Sequence, residues 1–270
     1  MGNYKKRLKL SFIINLLMVI LFISSIINEI VDINNNNSTY INVWSFFRYF
    51  TIDGNLLSFI FNSIITFKQF QALRIQNEKE MKEKTISHFL YMISLISSCN
   101  EIIILIVVII IFLPFADSII IKSLLGSYKV ANLHLTIPIL LNFRFLFLDK
   151  RKRQLKIYEK FYGGIPMCIY GIIMFILCLA KVFTSYDKDK GDGKIPYPFF
   201  DLYHQSWYIS FFIILLIFIF GFGIGFLFDF LNKKLEKLIF PYDSSSEDDE
   251  QDKKILLTSL IDMKETFKDI

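Results

Sequence analysis

Apolar residues dominate six stretches of the chain, at residues 8–27, 43–67, 88–113, 130–148, 162–183 and 207–231, with polar segments between them. A helix needs ~20 residues to cross a hydrocarbon core of ~30 Å, and these stretches have that length. A membrane-crossing strand would need only about ten residues with strict alternation of apolar and polar positions. Residues 102–113 (IIILIVVIIIFL) do not alternate, so the pattern predicts helices. The first stretch follows Lys5-Lys6-Arg7, as a signal peptide would. It is longer than a signal's apolar region, and no small-x-small cleavage site follows before Asn28, which predicts a retained helix. The fold class expected is therefore all-α, a polytopic membrane bundle of six transmembrane helices.

Lysine and arginine fall unevenly on the connecting segments. Lys5, Lys6, Arg7 and Lys9 precede the first stretch, Lys68 to Lys84 fill the second loop, Lys150 to Lys160 the fourth, and Lys233, Lys234 and Lys237 follow the sixth. The first, third and fifth loops are poorer. Positive charge is retained on the cytoplasmic side of membranes. Rich and poor sides alternate through all six stretches, which predicts that both termini are cytoplasmic.

Composition narrows the picture further. Of 270 residues, 54% are hydrophobic and 30 are Phe, more apolar than an ordinary soluble domain. That excludes a typical cytosolic enzyme, a disordered chain and a disulfide-stapled secreted domain. Cys99, Cys168 and Cys178 lie inside apolar runs and read as small hydrophobes, with no CxxC pair to suggest a metal. Asn34 to Asn37 form a low-complexity outer loop containing two potential glycosylation sequons. Residues 1–240 are expected to form the membrane domain. Residues 241–270 are expected to form an acidic cytoplasmic tail (SSSEDDEQD at 244–252), whose end, 255–270, reads either as a short amphipathic helix on a membrane or partner or as a plain solvated tail.

Polar side chains inside the apolar stretches are functional candidates, since lipid offers them nothing; the plainer reading is that they join helices. In the second stretch Thr51, Asn55, Ser58 and Asn62 share one helical face. Asp53 lies about 200° round the axis from Thr51 and would join that face only through a break, which Gly54 could supply. The third stretch aligns Tyr91, Ser94, Ser98 and Glu101, the last near the bilayer centre. Arg144, nearer the cytoplasmic end of the fourth, is expected to snorkel. In the same stretch Pro138 lacks an N–H, which leaves the carbonyl of His134 without its usual helical partner and loosens the backbone there.

Thr51 is expected ~12 Å and His134 ~6 Å below the outer ends of two helices running the same way. Groups at similar depth meet if their helices pack side by side. A threonine hydroxyl with an imidazole in reach is a nucleophile–base pair. His88 is expected at the opposite end, and His204 in the outer loop before the sixth stretch. No GxSxG, HExxH or Walker loop occurs, and the Gly221/Gly225 spacing reads as helix packing.

Three motifs carry a resemblance. Residues 46–57 (FFRYFTIDGNLL), 134–138 (HLTIP) and 197–201 (YPFFD) resemble, in order, the aromatic-x-T-x-x-x-N-L, H-x-x-x-P and Y-P-F-hydrophobic-acid motifs of a six-span family. That family comprises the androgen-induced and androgen-dependent TFPI-regulating membrane proteins and their microbial relatives. The resemblance spans roughly residues 8–231. It implies an intramembrane threonine hydrolase of lipid esters, fatty acid esters of hydroxy fatty acids among them, with Thr51 as nucleophile and His134 as base. No cofactor or metal is implied, and the partner would be a lipid taken from the bilayer of a cell membrane or endomembrane. Asn55, one turn from Thr51, is a candidate oxyanion donor, and Glu101 a candidate substrate contact. The Asn-rich first loop and the charged fifth loop, 185–194, depart from the animal members. The alternative expectation is a non-catalytic membrane protein, a proton-coupled transporter or an assembly scaffold, with Glu101, Asp53 and Arg144 lining an ion path.

Overall fold

The computed structural model describes residues 3–35, 50–106, 109, 127–180 and 207–239. Residues 43–49, most of 107–113, the 197–201 motif, His204 and the acidic tail lie outside them. The regular structure is helical: α1 (Asn3–Asn34), α2 (Phe50–Leu73), α3 (Glu78–Thr85), α4 (His88–Ile106), α5 (Tyr128–Leu148), α6 (Ile157–Leu179) and α7 (Trp207–Ile239). Of these, α1, α2, α4, α5 and α6 are each long and apolar enough to cross a membrane. Inside lipid every backbone amide must find a partner within its own segment, and a helix provides that.

Large apolar side chains cover the outside of the bundle, and the polar side chains of its helices turn inward among an apolar core. On α1 Ser11, Asn15 and Ser25 are buried, while Leu10, Ile13, Leu17 and Ile20 are exposed. On α6 Cys178 is buried, while Ile169, Ile172 and Ile176 face outward. A water-soluble helix would reverse this arrangement. The most enclosed helix is α4, whose Leu95, Cys99, Ile103 and Ile104 pack with Phe50, Phe145 and Phe228.

Contacts at the helix ends show that the long helices run alternately up and down. At one end Tyr4 meets Thr85, Arg7 donates to the Leu148 carbonyl at 2.6 Å, and Lys160 pairs with Asp229 at 2.9 Å. At the other end Lys129 pairs with Glu29 at 2.7 Å and with Asp32. The arginine- and lysine-rich segments thus gather at the first end.

Three local features are set by particular residues. The short helix α3, unforeseen in the polar loop, starts at Asn77, whose side chain accepts from the Lys79 amide at 2.9 Å. Its Met81 is buried with Tyr4, Leu8 and Ala72. In α5 a π-helical turn at Asn132–Thr136 precedes Pro138. In α6 a 3-10 turn at Phe161–Gly164 admits α7 closely: a Cβ on Gly225 would lie 2.0 Å from the Lys160 carbonyl oxygen. Gly225 is therefore a packing glycine, and Gly163 lies against it from the other side.

Candidate intramembrane site

The π-turn decides which carbonyl Pro138 leaves bare. The amide of Ile137 donates to the Asn132 carbonyl, five residues back. In that register the missing Pro138 amide would have served Leu133, not His134 as an α-helical count suggests. The vacancy is filled from α2: Asn55 Nδ2 donates to the Leu133 carbonyl at 3.0 Å and to the Thr51 carbonyl at 2.7 Å. Both acceptors are carbonyls, so the amide nitrogen must face them. One side chain therefore ties the backbone at Thr51 to the backbone beside His134.

His134 is partly exposed, and its Nδ1 lies 3.0 Å from the Val130 carbonyl. A carbonyl only accepts, so Nδ1 carries the proton and Nε2 keeps its lone pair. Thr51 is half-buried. No hydrogen bond joins its hydroxyl to the His134 ring among the described residues. With both N–H groups of Asn55 occupied by carbonyls, its side chain offers a reacting group only the Oδ1 acceptor, which is buried and unpartnered.

Asn55, Ser58 and Asn62 line a small hollow closed by Met18, Val19, Phe22 and Ile137, with room for about one water. Behind it stands Glu101, 0% exposed, with both carboxyl oxygens unpartnered and Ser58 as its polar neighbour from α2. Ser97 and Ser98 are likewise buried without a partner. Glu101 makes no hydrogen bond to Thr51 or His134. Among the described residues no three His, Cys, Asp or Glu side chains converge as metal ligands.

Arg144 does not snorkel. It is 0% exposed and holds four helices together. Its Nη1 donates to Asn15 Oδ1 at 2.6 Å and to Asn62 Oδ1 at 2.8 Å. Its Nη2 meets Ser94 and pairs with Asp149 at 3.1 Å. Asn15 then donates to Gln69 at 2.9 Å, and Gln69 to Ser11 at 2.8 Å. Every side chain here except Asp149 lies on α1, α2, α4 or α5, and none was assigned to a common cluster from the sequence. Spacing along one helix does not show which neighbours close on it. Asn232, missed altogether, accepts from Tyr91 at 3.1 Å and donates to the Phe145 carbonyl at 2.8 Å, which anchors α7.

Asp53 faces away from the Thr51 stripe. The helix α2 is unbroken through Gly54, which serves instead as a close-approach point: a Cβ there would lie 2.5 Å from Asn100 Nδ2. Asp53, Gly54 and Asn100 sit on a cavity of about 410 Å³ between α2, α4 and α6, otherwise walled by apolar side chains such as Leu57, Ile169, Ile173 and Met174. His88, at the opposite end, lies 2.9 Å from both Glu159 and Arg153.

Comparison with protein-family models, curated proteins and solved structures gives no match.

Proposed function

We propose that the protein is a multi-pass membrane hydrolase of lipid esters, with α7 as its sixth crossing and both termini cytoplasmic. Thr51 is the nucleophile and His134 the base. The observation that carries this reading is the Asn55 amide, which holds the Thr51 and Leu133 carbonyls on one nitrogen and so sets the two helices side by side at one depth. The free Nε2 of His134 and the π-turn, a device common at functional sites, add to it. The motif resemblance at residues 46–57 and 134–138 assigns the same two residues.

The chemistry follows from the groups present. Thr51 Oγ1 attacks the ester carbonyl carbon as His134 Nε2 takes its proton. The tetrahedral intermediate collapses and the alcohol leaves with that proton, giving an acyl-threonine. Water, deprotonated by His134, then releases the fatty acid and restores the hydroxyl. Catalytic hydrogen bonds that are long without substrate tighten in the bound complex. The test is hydrolysis of a panel of long-chain esters by the purified protein: Thr51→Ala and His134→Ala abolish turnover, and undiminished turnover in either refutes the assignment.

A second reading rests on Glu101, a carboxyl group enclosed in α4 with no partner for either oxygen. Such groups mark proton paths in membrane carriers. In a proton-coupled transporter Glu101→Gln abolishes uptake while Thr51→Ala leaves it intact. An assembly scaffold tolerates both.

A further inference from the structure

The cavity between α2, α4 and α6 is built for a head group. It lies in the half of the bundle away from the arginine-rich end. Its walls are apolar, and Ile173 on α6 is 50% exposed at its rim, so the opening faces where lipid chains would lie. Of the polar side chains that line it, Tyr170 packs its ring on Phe50 and Asn100 keeps its amide atoms shut off from the opening, which leaves Asp53 as the polar group a ligand meets. Asp53 has neither an ion pair nor a hydrogen bond among the described residues. Asn100 is 1% exposed, and both its Nδ2 and its Oδ1 lack a partner. Buried polar atoms are seldom left in that state.

The unsatisfied atoms define what would satisfy them. A carboxylate only accepts hydrogen bonds and carries negative charge, so it calls for a cationic donor. We propose that this cavity binds a long-chain amine from the bilayer, its ammonium on Asp53 and its hydrocarbon chain along α6. The site is separate from Thr51 and His134, which do not line the cavity, so it stands whether or not the hydrolase reading does.

The test uses the full chain in phosphatidylcholine nanodiscs and radiolabelled sphingosine, a long-chain amino diol. Binding saturates at one ligand per chain above empty discs. Unlabelled sphingosine displaces it, whereas stearic acid of matching length does not. Asp53→Asn weakens binding about tenfold or more, the loss of a charge-assisted hydrogen bond, and Asp53→Glu retains most of it. Ile173→Trp, on the exposed rim, blocks the cavity without touching the core and decides the matter if Asp53→Asn misfolds. The proposal is overturned if binding equals that of empty discs, if stearic acid competes equally, or if a folded Asp53→Asn or Ile173→Trp protein binds as the parent does.

Discussion

Asn55 on α2 donates from one nitrogen to the Thr51 carbonyl of its own helix and to the Leu133 carbonyl on α5. The second bond exists because Pro138 and the π-turn leave Leu133 bare. A sequence feature of one helix is thereby answered by a side chain of another, and the residue pair proposed for chemistry is held by that answer.

Replacing Asn55 with Ala removes both bonds. Polar bonds between membrane helices contribute about 0.6 kcal/mol on average and ~1.7 at most. The expected loss of stability is therefore about 1 kcal/mol, read as a lower midpoint in detergent unfolding. Ester hydrolysis falls by more than that loss of stability accounts for. Asn55→Asp fares no better, because a carboxylate cannot donate to two carbonyls.

Pro138→Ala restores the missing amide. The expected outcome is relaxation of the π-turn towards a regular α-helix, with stability kept or raised. His134 then turns by about 100° relative to the residues after the turn. Hydrolysis drops while the unfolding midpoint does not, and the two measurements together separate this outcome from simple misfolding.

Among the described residues Arg144 is the largest fully buried side chain, and its charge is answered by Asp149 together with Asn15, Asn62 and Ser94. Removing one member of a buried ion pair costs about 3–5 kcal/mol. Arg144→Ala is expected to prevent recovery of folded protein or to lower its unfolding midpoint severely. Arg144→Lys rescues little, since an ammonium cannot span two amides on one side and a hydroxyl and carboxylate on the other.

Gly225 and Gly223 form a paired test of the α6–α7 contact. A Cβ on Gly225 meets the Lys160 carbonyl at 2.0 Å, while one on Gly223 meets nothing within 4 Å. Gly225→Ala is expected to destabilise by about 1–3 kcal/mol, as overpacking does. Gly223→Ala leaves the unfolding midpoint unchanged or slightly higher.

Much of this architecture was legible in residue order. The long apolar runs mark α1, α2, α4, α5 and α6, because lipid imposes length and composition on any helix that crosses it. The stripe of Asn55, Ser58 and Asn62 was legible for the same reason, since polar residues at helical spacing must turn inward. What closes on that stripe was not. Arg144 reads as a snorkelling cation from its position near a helix end, and only the convergence of Asn15, Asn62 and Ser94 from three other helices shows that it is enclosed. Gly54 reads as a helix breaker in one dimension and proves to be a contact point once α4 is beside it. The shift of the bare carbonyl from His134 to Leu133 depends on a π-turn that no residue count reveals. The helix α3 escaped notice because its only core residue is Met81.

The proposed hydrolysis requires a covalent bond between Thr51 and its substrate. Incubation of the detergent-purified protein with a fluorophosphonate, followed by proteolysis and tandem mass spectrometry, locates the adduct directly. One adduct per chain is expected, on the peptide containing Thr51, and it is lost in His134→Ala. An adduct on a different residue, or labelling of Thr51→Ala equal to that of the parent, contradicts the assignment.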